Sequence, residues 1–318
     1  MTKKIFISLV VSLLFPAVLV AQKPKNPDDP DKPRVRTVSI PISIFTKDEL
    51  RRGQTEEFVQ AERLIVKEDR DDQTVLSIRS VTDAPLSLAI LVQEDLSSSF
   101  NLQIKDLKSF IRKLPKGSRV MVAYLRGGTL QVRQRFTEDL DAAAEALRIV
   151  VSSSAAAPRN PYDGVIDALN RFDALPAGRR AILLVSDGLD ISQGLSSSTP
   201  SQSIDLDRAI QRAQRRSVAV FAFYNPASVT EGGDSRLILN GQGSLQKIAE
   251  ETGGRAFFQG STGPISFDPF FRELTLLLTR QFLLSYLSTH MKHGYHRVEV
   301  LSTNPDIKIE HPKGYYYR

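Results

Sequence analysis

Hydrophobic positions along this chain follow two periods, and the switches between them mark out its elements. From 36 to 83 the period is two. Val35–Ile44 alternates and predicts a strand, as do Leu64–Asp69 and Thr74–Val81, with a turn at Arg70, Asp71 and Asp72. This β segment is too small to be stable without a partner. From 84 to 282, short apolar runs alternate with helical spacing. Leu88–Val92 and Ala181–Ser186 are continuous apolar runs, the mark of strands buried on both faces. Val120–Leu125, Val218–Phe223 and Ala256–Phe258 also read as strands, and Leu130–Phe136 alternates. Leu102, Ile104, Leu107, Phe110, Ile111 and Leu114 fall at helical spacing over Phe100–Leu114. Further helices are predicted at 139–150, 161–173, 204–216, Leu245–Thr252 and Pro269–Thr279; Gly253 and Gly254 suit a left-handed cap on the fourth of these. From 283 to 318 the β pattern returns in Leu283–Leu287, His296–Val300 and Ile307–Glu310, with Lys313–Tyr317 closing the chain.

Strands alternating with helices predict an α/β fold. Its sheet is doubly wound and mainly parallel, with helices on both faces. The ends of an inserted α/β domain usually lie close together, so 283–318 is expected to pack with 36–83 in a small flanking β subdomain built from both chain ends.

The first residues address the protein. Lys3 and Lys4 precede an apolar run from Ile5 to Ala21, and the chain then turns polar at Gln22. This is the layout of a secretory signal cleaved after Ala21, with an uncleaved anchor as the alternative. Residues 22–35, with Pro24, Pro27, Pro30 and Pro33 among charges, read as a flexible tether. No later stretch is apolar enough to span a membrane, so the mature chain is expected in the periplasm or outside the cell.

Composition narrows the chemistry. The 318 residues are 41% hydrophobic and 25% charged, which suits a globular core and excludes disorder as the main state. The chain has no Cys, which removes disulfides, thiolate metal sites, a lipoprotein anchor and a Cys nucleophile. The net charge of +6 is dispersed among Asp and Glu rather than clustered beside aromatics, which argues against nucleic-acid binding.

In open α/β sheets, ligands bind outside the carboxyl ends of the strands. Asp95, Ser97 and Ser99 follow the first buried strand as D-x-S-x-S, and Asp187, Gly188 and Asp190 follow the second. Carboxylates and hydroxyls together suit a hard divalent cation, which takes oxygen ligands and keeps some waters. The plain alternatives are a helix cap for the first loop and a strand-ending turn for the second.

This order resembles the von Willebrand factor A domain and its metal-ion-dependent adhesion site: strand, D-x-S-x-S, helix, then about 90 residues on Ile182–Gly188. The resemblance covers 84–282, including the passage Leu245–Gly254. The β extensions and the ending Lys313-Gly314-Tyr315 are similar to secreted members known in Acidobacteria. It implies Mg²⁺, alternatively Mn²⁺ or Ca²⁺, held by Asp95, Ser97, Ser99 and Asp187, and a protein partner offering a carboxylate. One position departs from the pattern. In register with Tyr162 and Asp163, Arg159 stands where the family supplies a Thr, and a shift of one residue would offer Asn160 instead. Two versions of the site follow. Either Mg²⁺ binds a reduced ligand set that can include Asn160, or Arg159 replaces the metal and neutralises Asp95 and Asp187.

Other features weigh less. His290, His293 and His296 show H-x-x-H-x-x-H spacing, but a β turn at Gly294 and Tyr295 and the lack of an adjacent acidic residue count against zinc. Asp163 and Asp167 share one helix face and read as solvated, and Asp190 reads as exposed or loop-bonding. No G-x-S-x-G, Walker A loop or H-E-x-x-H occurs, and every His lies in the last 29 residues, so no enzyme is expected. The functional expectation is an exported protein for recognition or adhesion; the alternative is a metal-independent structural module of the cell envelope.

Overall fold

The computed structural model describes residues 34–46, 64–79, 85–127, 129–175, 179–195, 198–260 and 264–317. The signal segment and all but the last two residues of the tether lie outside these. Val35 to Arg318 forms one compact unit. In chain order its elements are β1 (Arg36–Thr46), β2 (Leu64–Glu68), β3 (Asp71–Arg79), β4 (Leu86–Gln93), α1 (Ile104–Arg112), β5 (Arg119–Arg126), β6 (Thr129–Thr137), α2 (Leu140–Glu145), α3 (Tyr162–Arg171), β7 (Arg179–Ser186), α4 (Ile204–Arg215), β8 (Ala219–Tyr224), α5 (Ser235–Thr252), β9 (Ala256–Phe257), α6 (Asp268–Thr279), β10 (Gln281–Ser288), β11 (Gly294–Ser302), β12 (Ile307–Glu310) and β13 (Gly314–Tyr317).

The central sheet has the order β6-β5-β4-β7-β8-β9. All its pairs are parallel except β5 with β6. Alternate side chains of β4 serve two cores. Leu88, Ile90 and Val92 face α1, α2 and α6, while Ala89 and Leu91 face α3, α4 and α5. Phe223 anchors the first core, with its ring 5.1 Å from that of Phe267 and 5.2 Å from those of Phe257 and Phe271. This is the doubly wound α/β fold that the pattern predicts.

The second sheet is antiparallel, of order β12-β1-β10-β3-β2-β11-β13, and takes strands from both chain ends. Its core holds Ile40, Ile42, Val66, Leu284, Tyr286, Val298 and Val300. The turn between β2 and β3 sits at Asp69 and Arg70, one residue earlier than the pattern suggests. Both have positive φ, 50° and 81°, the hand that a two-residue hairpin needs.

Three helices differ from their predicted spans. The 100–114 helix opens as a 3₁₀ turn over Ser98–Gln103 before α1 begins. Helix α2 stops at Glu145, because the Tyr124 hydroxyl accepts from Arg148 N and donates to Arg148 O, both at 2.8 Å, and holds that segment out of the helix. Helix α5 starts ten residues earlier than predicted, at Ser235, because Gly241 and Gly243 hide its first half from a propensity reading.

Candidate metal centre at the sheet switch point

Strand β4 has β5 on one side and β7 on the other, so the sheet changes direction of growth between β4 and β7. The two strands run parallel in register to the pair Val92 and Val185. Their carboxyl ends therefore emerge side by side, at the edge of the sheet where ligands of such folds bind. Asp95 leaves β4 there and Asp187 leaves β7.

One amide ties the two loops together. Gln93 Nε2 donates to Asp95 Oδ1 at 2.9 Å, and Gln93 Oε1 accepts from Ser186 Oγ at 2.6 Å and from Asp187 N at 3.3 Å. A third segment, 225–231 after β8, closes over both. Asn225 N donates to Ser186 O at 3.1 Å, Ser97 N to Pro226 O at 2.8 Å and Ser228 N to Asp95 O at 3.1 Å. Its side chains reach the carboxylates. The Ser228 hydroxyl donates to Asp95 Oδ2. Thr230 Oγ1 donates to Asp187 Oδ2 at 3.3 Å. Ser97 Oγ donates to Glu231 Oε1 at 2.8 Å, and Ser99 Oγ lies 3.3 Å from Ser97 Oγ. Ser99 and Glu231 are exposed, so the site opens to solvent on that side.

The Asp187 loop is fixed by close packing. Gly188 has φ +71°, and a Cβ on Gly241 of α5 would fall 2.1 Å from the Asp187 carbonyl oxygen. Only two glycines allow this approach. From the other side, the buried Tyr162 hydroxyl donates to Gly188 O at 2.7 Å.

Asp95 is 0% and Asp187 3% exposed. Among the described residues neither makes an ion pair. Burial, and then the charge of Asp95, push the Asp187 carboxyl up to about 7, although the Leu189 amide, Gln93 and Thr230 hydrogen-bond to Asp187 and pull the other way. Two buried carboxylates that no cationic side chain among the described residues pairs with, beside two serine hydroxyls, fit the oxygen donor set of a hard divalent ion. By contrast Glu94, also fully buried, pairs with Arg148.

The remaining sequence candidates lie elsewhere. Asn160 Oδ1 accepts from the amides of Tyr162 and Asp163, both at 2.9 Å, so its oxygen caps α3, and its amide nitrogen donates to Asp163 and Asp205 rather than to Asp95 or Asp187. Arg159 is exposed, and among the described residues its side chain pairs with neither Asp95 nor Asp187; its carbonyl accepts from Ile191 N at 2.8 Å. Asp190 is buried rather than exposed. It accepts from Ser192 N at 2.9 Å and from the Ser203 hydroxyl, which itself caps α4. Asp163 and Asp167 are exposed.

Sequence reading passed over Gln93, Ser228, Thr230 and Glu231. The signal available for the last three was their place just beyond β8, the next parallel strand along the sheet.

No family model and no curated protein matches the chain. Solved structures do share its trace. BatB from Bacteroides thetaiotaomicron aligns with 61% of this chain and 97% of its own at 14% identity, with a TM-score of 0.44. The VWA domain of SpRpn10 aligns with 61% and 94% at 11% identity and a TM-score of 0.38. The manganese-loaded TRAP protein of Plasmodium vivax aligns with 80% and 99% at 11% identity and a TM-score of 0.41. The chain is similar to von Willebrand A-domain structures. These likenesses concern the chain trace; the donor set at Asp95 and Asp187 rests on this chain's own residues.

Proposed function

We propose that this protein is an exported von Willebrand A-like binding module, not an enzyme, and that it recognises a carboxylate on a protein partner at the carboxyl ends of β4 and β7. The observation that carries the reading is the buried, uncompensated pair Asp95 and Asp187 beneath the exposed Ser99 and Glu231. Asp95, Ser97, Ser99 and Asp187 would hold a divalent cation, Mg²⁺ first by its preference for carboxylate and water ligands. Bound there, the cation would offer an electrophilic position to an incoming carboxylate. The chain's own residues prepare that position. Asp95 and Asp187 supply negative charge, Gln93 fixes their separation, and Ser228 and Thr230 hold the carboxylates in orientation. Glu231 places a carboxylate of this chain on Ser97, at the rim where a partner's acidic side chain would arrive. Export rests on the basic and apolar start of the sequence, and places the encounter in the periplasm or outside the cell.

The test is capture of envelope proteins by the wild-type chain and by Asp95→Ala, each with Mg²⁺ and with EDTA. The reading requires a partner held by wild type with Mg²⁺ and lost both on chelation and in the variant. A partner held equally in all four conditions would assign recognition to the antiparallel sheet instead.

A further inference from the structure

The three histidines at H-x-x-H-x-x-H spacing separate in the fold. His293 stacks on Tyr317, with ring centroids 5.0 Å apart. His290, in the β10–β11 connection, and His296, in β11, instead come together with ring centroids 5.8 Å apart. They face Glu68 at the end of β2 and Asp69 in the hairpin turn. These acidic partners come from more than 200 residues away, which is why local sequence offered none.

One donor atom each of Glu68, Asp69 and His296 lies within 4.8 Å of the other two, and His290 approaches this group through Glu68. His296 Nδ1 lies 2.7 Å from Asp69 Oδ2 and 3.4 Å from Glu68 Oε1, and His290 Nδ1 lies 3.7 Å from Glu68 Oε1. Ligand atoms about 2.0–2.1 Å from a tetrahedral zinc stand about 3.3 Å from each other, which these spacings bracket. The far nitrogens are already held. His296 Nε2 is 2.7 Å from Lys292 O, and His290 Nε2 is 3.2 Å from Asp71 Oδ2. Metal-bound imidazoles are oriented in this way, by a carbonyl or a carboxylate on the other ring nitrogen. Both Nδ1 atoms are then turned toward Glu68.

Glu68 is fully buried. Its Oε1 accepts from Ser288 at 2.9 Å and from Tyr315 at 2.8 Å. Its Oε2 is buried and makes no hydrogen bond among the described residues, and the same holds for His290 Nδ1. An unpaired carboxylate oxygen at such depth is costly unless something binds it.

We propose that Glu68, Asp69 and His296 form a site for a first-row transition metal of zinc type in the antiparallel sheet, independent of the Asp95 site, with His290 completing it as a fourth ligand by a small shift of its ring. Two nitrogens and two carboxylate oxygens suit Zn²⁺ over Mg²⁺, which avoids imidazole. The partial exposure of His290 and Asp69 gives the ion a way in.

The test is titration of the full chain with Zn²⁺ in excess Mg²⁺, together with Co²⁺ absorption spectra as a report of tetrahedral geometry. Four proteins are compared: wild type, His290→Gln, Asp69→Asn and Asp95→Asn. His290 and Asp69 are only partly buried, and Asn tolerates the positive φ at 69, so circular dichroism should show native folds. The expected result is a Zn²⁺ site with a tetrahedral Co²⁺ spectrum in wild type and Asp95→Asn, weakened at least tenfold by His290→Gln and by Asp69→Asn. Absence of Zn²⁺ binding in wild type would overturn the proposal. So would binding that the His290 and Asp69 variants leave unchanged, or that Asp95→Asn removes.

Discussion

Ser97 Oγ donates to Glu231 Oε1 across 2.8 Å, joining the loop after β4 to the loop after β8. The Glu231 amide is itself held, donating to Ala227 O at 2.8 Å, so the carboxylate is aimed rather than free. Replacing Glu231 by Gln keeps the shape and removes the charge. Because Glu231 is exposed, stability without metal should change by no more than about 0.5 kcal/mol. Mn²⁺ affinity should fall about tenfold, equivalent to about 1.4 kcal/mol. Calorimetric titration of both proteins decides it; equal affinities would show that Glu231 has no share in the cation site.

The buried Asp187 gives the metal-free chain a pH dependence of unusual sign. Its carboxyl is pushed up to about 7, against 3.8 for the free group, so the folded state keeps a proton that the unfolded state has lost between those values. Stability in EDTA should therefore fall as pH rises from about 4 to about 7 and level off above, by roughly 4 kcal/mol at most from this group. Urea unfolding across that range measures it, with saturating Mg²⁺ expected to flatten the decline. A metal-free stability that rose steadily from pH 4 to 7 would contradict this account of Asp187.

Gly241→Ala separates packing from helix propensity. On an open helix face the change would stabilise by about 0.5–1 kcal/mol. Here the new Cβ would meet Asp187 O at 2.1 Å, and backbone cannot turn aside as a side chain can. The expected outcome is destabilisation by about 1–3 kcal/mol with weaker Mg²⁺ binding, read by unfolding with and without the cation. A stabilised variant would mean that α5 does not press on the Asp187 loop.

What the sequence shows of this protein follows from which forces are local. Strands β4 and β7 are legible because a strand covered on both faces must be apolar throughout, as Leu88–Val92 and Ile182–Val185 are. Asp95 and Asp187 stand out because they interrupt those runs where the strands end. Asn160 is not legible in the same way. An amide oxygen that caps a helix and one that faces a cation look alike in spacing, and only the placement of the Tyr162 and Asp163 amides decides between them. Ser228, Thr230 and Glu231 act on partners 43 to 134 residues distant. No local period records such contacts. A still greater separation, more than 200 residues, hid Glu68 from His290 and His296.

In the proposed function, Asp95 and Asp187 together form one buried anionic site for a divalent cation. Thermal unfolding of wild type and Asp95→Asn at pH 7, each in EDTA and in Mg²⁺ or Mn²⁺, tests it most directly. Asp95→Asn removes one of two repelling charges, so in EDTA it should melt above wild type. Only wild type should gain stability when the cation is added. A wild-type melting temperature that neither Mg²⁺ nor Mn²⁺ raises would contradict the claim.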